Sequence, residues 1–226
     1  MNATLAVETT KHRQYLSRVD AGQRLAKALE RYRNTEVVVL GLPRGGVVLA
    51  AVVARYLHSP LGVVLVRKIG HPSYPEYAIG AVVEGEEPIY HQHQEIFHDQ
   101  RLSADVVSAR RLLDRRLKIY YGDHFNRPEV MHKTCILVDD GIATGMTMLA
   151  SAMALRRQGA FKIVVAVPIA SNDGLDMLSP LVDYIVVLNE RDEFRGSVGL
   201  HYLNFEPVTD EDVVRLLREV NHEEQV

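Results

Sequence analysis

Apolar positions along the chain come in short blocks, and their period alternates between that of a strand and that of a helix. Over residues 10–33, Leu16, Val19, Leu25, Ala26 and Leu29 recur at mixed spacings of three and four with Arg and Lys between them, which predicts an amphipathic helix. Residues 36–42 are a β-branched apolar run and predict a buried strand. A turn at Pro43, Arg44, Gly45 and Gly46 and a helix over 47–57 follow it. Residues 61–66 predict a second buried strand that ends at Arg67 and Lys68. The two prolines of 71–75 predict irregular chain, with a strand over 78–84 and a turn over 84–88. A helix rich in Arg and Leu is predicted over 103–120 and a linker over 124–132. Residues 134–140 predict a third strand ending in Asp139 and Asp140. A small-residue turn over 141–147 then leads into a helix over 147–158, stopped by Gly159. Strands over 162–170 and 182–188 flank a short helix capped from Ser171. Residues 189–205 read as irregular, and a last helix over 210–220 is capped by Thr209 or Asp210.

Strands thus alternate with helices, and the strands are continuous apolar runs. A strand covered on both faces has that pattern, so the chain predicts an α/β fold with a parallel sheet. No repeat or interdomain linker interrupts it. A single domain over 1–226 is expected, with a core at about 10–188 and a hood and C-terminal helix at about 189–220. Ligands of such sheets bind beyond the carboxyl ends of the strands, which singles out 43–46, Arg67 with Lys68, and 139–147.

Composition narrows the function. At 226 residues the chain can bury about 70% of its unfolded surface. Its 47% hydrophobic and 24% charged residues exclude disordered and low-complexity classes. Lys plus Arg number 26 against 29 Asp plus Glu, and a net charge of −3 argues against a dedicated nucleic-acid binder. One cysteine, Cys135, permits no internal disulfide and points to a reducing compartment. No apolar run reaches the ~18 residues of a membrane span. The first 20 residues lack the basic-then-apolar order of a secretory signal. A cytoplasmic protein without membrane or nucleic-acid partner is expected.

The stretch from Cys135 to Thr147 carries the most chemistry. Two carboxylates stand at a strand tip, and a turn of small residues leads from them into a helix start. Unpaired N–H groups and partial positive charge at that helix start suit a phosphate. Thr144 and Thr147 add hydroxyl donors, and Gly145 permits close approach of the backbone. Asp139 and Asp140, ~10 Å or less away by chain reach, can accept hydrogen bonds from vicinal sugar hydroxyls. The two halves together describe a pocket for a ribose 5-phosphate. A turn whose acids only cap the next helix is the plainer alternative.

This stretch resembles the phosphoribosyl pyrophosphate signature of type I phosphoribosyltransferases. The resemblance implies the parallel-sheet, Rossmann-like fold of that family, with a small hood. It implies that Asp139 and Asp140 hold the ribose hydroxyls and that Gly141, Ala143, Thr144, Gly145, Met146 and Thr147 form the 5-phosphate turn. Pro43, Arg44, Gly45 and Gly46 are similar to the pyrophosphate loop, where the family often has a non-proline cis peptide, expected here between Pro43 and Gly45. Arg67, Lys68 and Gly70 are similar to the Arg-Lys-x-Gly of adenine phosphoribosyltransferases, which implies a clamp on pyrophosphate. The wider string, roughly residues 15 to 218, resembles a bacterial group of phosphoribosyltransferases without an assigned acceptor. Ala143 stands where enzymes for 6-oxopurines carry Asp, which counts against hypoxanthine or guanine.

The resemblance thus implies Mg²⁺-dependent transfer of a phosphoribosyl group from phosphoribosyl pyrophosphate to a nitrogenous base, with release of pyrophosphate. Asp139, Asp140, Arg67 and Lys68 would be the catalytic set, Asp139 and Asp140 would meet Mg²⁺ directly or through water, and the assembly would be a homodimer. The alternatives are a sensor of the same donor without catalysis and a hydrolase or transferase acting on another phosphorylated ribose. Residues 70–87, with Glu76 and Glu84, are expected to be a closing loop. Phe194, Tyr202 and Phe205 are candidates to stack on an acceptor ring or to pack in the hood. His91, His93 and His98 read as exposed histidines, the basic run from Arg110 to Lys118 as a solvated or subunit-facing helix, and Cys135 as a buried small hydrophobe.

Overall fold

The computed structural model describes residues 4–7, 14–71, 74–90, 100–122, 126–189 and 191–223. In chain order they form β1 (Thr4–Val7), α1 (Arg18–Ala28), β2 (Val37–Gly41), α2 (Gly45–Leu57), β3 (Leu61–Val63), β4 (Val66–His71), β5 (Tyr74–Val83) and β6 (Ile89–Tyr90). There follow α3 (Gln100–Tyr120), β7 (Thr134–Val138), α4 (Met146–Arg157), β8 (Lys162–Val167), α5 (Asn172–Leu178), β9 (Tyr184–Val187) and α6 (Asp210–Glu223). The main sheet has the order β1-β9-β8-β7-β2-β3, and every pairing in it is parallel.

The central strands are apolar throughout because alternate residues feed two separate cores. Val37, Val39, Ile136, Val138, Val164 and Ala166 face the layer containing α1, α2 and α6. Val38, Leu40, Cys135, Leu137, Ile163 and Val165 face the layer containing α4 and α5. The order of the strands reverses at β2, which has its successor β3 on one side and β7 on the other. Loops leaving the carboxyl ends of β2 and β7 therefore diverge to opposite sides and leave a crevice, the usual ligand position in such sheets. Gly41 pairs with Val138, so both loops start at one level.

Several expectations need correction. The first helix does not span 10–33. It begins at Arg18, where the Ser17 side chain accepts from the Asp20 N–H, and residues 14–17 precede it outside any helix. Residues 11–13 lie outside the described part. Strand β1 has no signal in the sequence; four residues carry no readable period, and pairing with β9 makes them a strand. The run 61–66 does not stay one strand but divides into β3 and β4.

The segment 70–87, expected to be a loop around a strand over 78–84, belongs largely to a second sheet, and the expected strand falls in β5. Strands β4, β5 and β6 form an antiparallel unit with register shifts around Gly70, so Arg67 and Lys68 lie inside β4 rather than at a strand end. Residues 72–73 lie outside the described part, as do His91, His93 and His98. This sheet also has two apolar faces. Ile69 and Val82 join the core shared with α3, and Ala81 and Val83 join the core shared with α4. Among the described residues no helix is long and apolar enough to cross a membrane.

Candidate active site

Asp139 and Asp140 follow β7 directly. The Asp139 Oδ1 accepts the Asp140 backbone N–H at 2.8 Å. Asp140 Oδ2 accepts from Arg18 Nε at 2.9 Å, and the Asp140 carbonyl accepts from the Tyr202 hydroxyl at 2.6 Å. Burial and then the neighbouring Asp140 charge push the Asp139 carboxyl well above the usual carboxylate range. Burial raises Asp140 as well, and Arg18 opposes the shift.

The turn after the acids is pinned to the next strand. Ile142 N–H donates to Ile169 O at 2.9 Å, and Ser171 N–H donates to Ile142 O at 2.8 Å. The Ser171 hydroxyl, which also caps α5 by accepting from Gly174 N–H at 2.9 Å, donates to Ala143 O. Gly145 is the N-cap of α4 at φ +80°, and a Cβ there would come 3.1 Å from Gly174 Cα, so both conformation and space require glycine. No side chain caps α4, so its first N–H groups are left for a ligand or water. Lys68 reaches over from β4 and donates to Thr144 Oγ1 at 3.4 Å. Lys68, Asp139, Gly141, Thr144, Gly145 and Thr147 line a cleft of about 190 Å³.

A second helix start lies on the other side of the acids. Arg44 is the N-cap of α2 and is likewise without a side-chain cap. The Pro43–Arg44 peptide is cis. Gly45 and Gly46 let this turn press on the acid pair. A Cβ on Gly45 would fall 2.1 Å from Asp140 Oδ2, and one on Gly46 would fall 2.7 Å from Asp139 Oδ1 and 2.8 Å from Val138 O. The acid pair is thus held between two uncapped helix starts.

The predicted residues are brought together unequally. Asp139, Asp140, Gly45, Gly46, Gly141, Thr144, Gly145, Thr147 and Lys68 converge on the crevice. Met146 has its side chain in the core and offers only its backbone. Arg67 is adjacent to Lys68 on a strand and so projects to the opposite face, the one that Ile69 shares with α3. Arg44 and Arg67 are both exposed.

The hood aromatics are employed in packing. Tyr202 is buried, with its ring 5.5 Å from that of Tyr15. Phe194 stacks on His201, and Phe205 carries the Arg18 guanidinium on its face. Glu84 is not a free loop carboxylate; Arg127 Nη1 donates to it at 2.6 Å, and burial raises its pKa. Arg18 is the residue that motif reasoning missed. In sequence it is one basic position of an amphipathic helix, and its neighbours Asp140 and Glu206 are remote in the chain.

Residues 13–203 match the phosphoribosyl transferase domain family. The chain belongs to that family. This phosphoribosyl transferase domain is 38% identical to TT1426 from Thermus thermophilus. The crystal structure of that protein superposes with a TM-score of 0.76 over 91% of this chain and 98% of the other. It is also 38% identical over 205 residues to the Mycobacterium tuberculosis protein named "Putative phosphoribosyl transferase Rv0571c", over 88% of this chain. The same identity holds for the protein of strain CDC 1551. The chain spans 45% of the length of these curated relatives.

Proposed function

We propose that this phosphoribosyl transferase domain moves the phosphoribosyl group of phosphoribosyl pyrophosphate to a nitrogenous base or related nucleophile and releases pyrophosphate. One observation carries the proposal: two carboxylates stand between two uncapped helix starts at the switch point of a parallel sheet. Two anion-favouring helix ends flanking a pair of hydroxyl acceptors match a sugar bearing phosphate groups at both ends.

In this reading the 5-phosphate lies on the N–H groups of 143–147 with the Thr144 and Thr147 hydroxyls. Asp139 and Asp140 accept from the ribose 2- and 3-hydroxyls. Pyrophosphate lies at Pro43–Arg44 and Gly45–Gly46, met by Arg44 and Lys68; Arg67, on the opposite face of β4, takes no part. As the bond from the anomeric carbon to pyrophosphate lengthens, positive charge grows on the sugar ring. The acid pair favours that charge, while the cations and α2 favour the departing anion. The acceptor nitrogen then adds to the opposite face of the anomeric carbon, and its proton leaves to solvent or base. The enzyme's share is positioning and charge stabilisation.

Among the described residues no group of three or more Asp, Glu, His or Cys could hold a metal by itself. An isolated acid pair fits Mg²⁺, which takes few protein ligands and completes its shell with substrate oxygens and water. Asp139 and Asp140 would hold it directly or through water, and when bound it would neutralise pyrophosphate charge. A homodimer is proposed on the family resemblance.

The test is pyrophosphate release from phosphoribosyl pyrophosphate and Mg²⁺, with adenine, guanine, hypoxanthine, xanthine, uracil, orotate, nicotinate or no acceptor. Release that depends on one base supports transfer and names the acceptor. Donor binding without release from any base would favour a sensor, and full activity in an Asp139→Asn, Asp140→Asn variant would overturn the ribose assignment.

A further inference from the structure

Arg18 stands where three elements meet, and none of the motifs of the site includes it. Its Nε donates to Asp140 at 2.9 Å, and its Nη1 donates to the Glu206 carbonyl at 2.8 Å. Its guanidinium lies 3.7 Å from the centre of the Phe205 ring, and only 11% of the side chain is exposed. The remaining edge of the fork points at α2. The position of a Cβ on Gly45 would be 2.8 Å from Nε and 3.0 Å from Nη2. Thus the guanidinium lies against the first residue of α2, beside the uncapped helix start.

Two of its five N–H donors are accounted for by Asp140 and Glu206. The Nη2 donors lie on the Gly45 side. A surface salt bridge would not need this arrangement. A flat ring under the cation, a backbone carbonyl at one end and a carboxylate at another fix the plane of the fork, and a fixed fork is the form of Arg suited to phosphate. The strap that carries it is fixed as well. Tyr15 N–H donates to His201 O at 2.8 Å, and Leu203 N–H donates to Tyr15 O at 2.8 Å, so chain 14–18 and the hood hold Arg18 between them.

We infer that Arg18 is a pyrophosphate-binding residue, a fixed guanidinium shared between Asp140 and the diphosphate end of the donor at the start of α2. The inference rests on the proposed placement of pyrophosphate at Gly45–Gly46. It makes the N-terminal strap part of the donor site.

The experiment compares three ligands by calorimetry with Mg²⁺ present: phosphoribosyl pyrophosphate, inorganic pyrophosphate and ribose 5-phosphate. Arg18→Gln keeps one N–H donor for Asp140 and removes the charge. Loss of a charge-assisted contact should weaken pyrophosphate and phosphoribosyl pyrophosphate roughly ten- to hundredfold. Ribose 5-phosphate binding should stay within about threefold, because the cluster at 143–147 is untouched. Arg18→Lys, which keeps charge without the planar fork, should lose less than Arg18→Gln, and it carries the test if Arg18→Gln melts much lower than wild type. Unchanged pyrophosphate affinity would overturn the inference. So would an equal loss for ribose 5-phosphate, which would make Arg18 only a support for Asp140. Failure of the unaltered protein to bind any of the three ligands would overturn the donor site itself and this inference with it.

Discussion

Two adjacent glycines offer a way to separate function from stability. In Gly45→Ala the atoms nearest the added methyl belong to side chains, Asp140 Oδ2 at 2.1 Å and the Arg18 fork at 2.8 and 3.0 Å. In Gly46→Ala it meets backbone as well, Val138 O at 2.8 Å and Asp139 Cα at 2.9 Å. The Asp140 carboxylate can turn aside from the fixed Arg18 fork; a central strand cannot move. An alanine in place of glycine gains about 0.4–1 kcal/mol from the unfolded chain. Overpacking costs about 1–3 kcal/mol, at the low end where the obstacle yields. Gly45→Ala should therefore lose at most ~1 kcal/mol, and Gly46→Ala about 2–3 kcal/mol. At roughly 2–4 °C per kcal/mol, melting should fall by less than about 4 °C in the first and by roughly 4–12 °C in the second. Turnover should behave otherwise. Displacing Asp140 by about 1 Å costs on the order of a hundredfold, so Gly45→Ala should be stable and nearly inactive. Thermal melts and pyrophosphate release on both variants check this. Equal melting temperatures, or wild-type turnover in Gly45→Ala, would refute the steric argument.

Four other outcomes are expected. Because the folded Asp139 pKa is raised, the native state binds more protons than the unfolded one between about pH 4 and that raised value, so this group's contribution to stability falls as pH rises through the window. Asp139→Asn should abolish that slope and melt higher than wild type at neutral pH, as thermal melts from pH 4 to 8 would show. His201, buried with its Nε2 accepting the Arg195 N–H at 3.0 Å, has its pKa lowered by burial; its contribution is lost as pH falls from about 6.5, and His201→Gln should flatten that part of the same melting series. Tyr202→Phe leaves the Asp140 carbonyl without its 2.6 Å donor and should cost about 1–3 kcal/mol by denaturant titration, with reduced donor affinity by calorimetry. Burial pushes the Cys135 thiol up to about 11, so thiol reagents at pH 8 should label it only after denaturation.

The chain by itself determines the parallel sheet. Continuous apolar runs at β2, β7 and β8 can be satisfied only between two apolar layers, and the alternate residues of each do face different cores. It also determines the local chemistry at 139–147, because two acids, a Gly at positive φ and a helix start are neighbours along the backbone. Only part of the hairpin was legible: the strand expected over 78–84 falls in β5, but β4 and the start of β5 have their period broken by the register shifts at Gly70 and by Pro75. Strand β1 was not legible, because four residues become a strand only by pairing with β9. What only the tertiary structure decided is the surroundings of the acid pair. Arg18, Gly45, Tyr202 and Phe205 reach Asp140 or its partner from distant parts of the chain. Their choice depends on distances of about 3 Å across the crevice, which no period along one segment records.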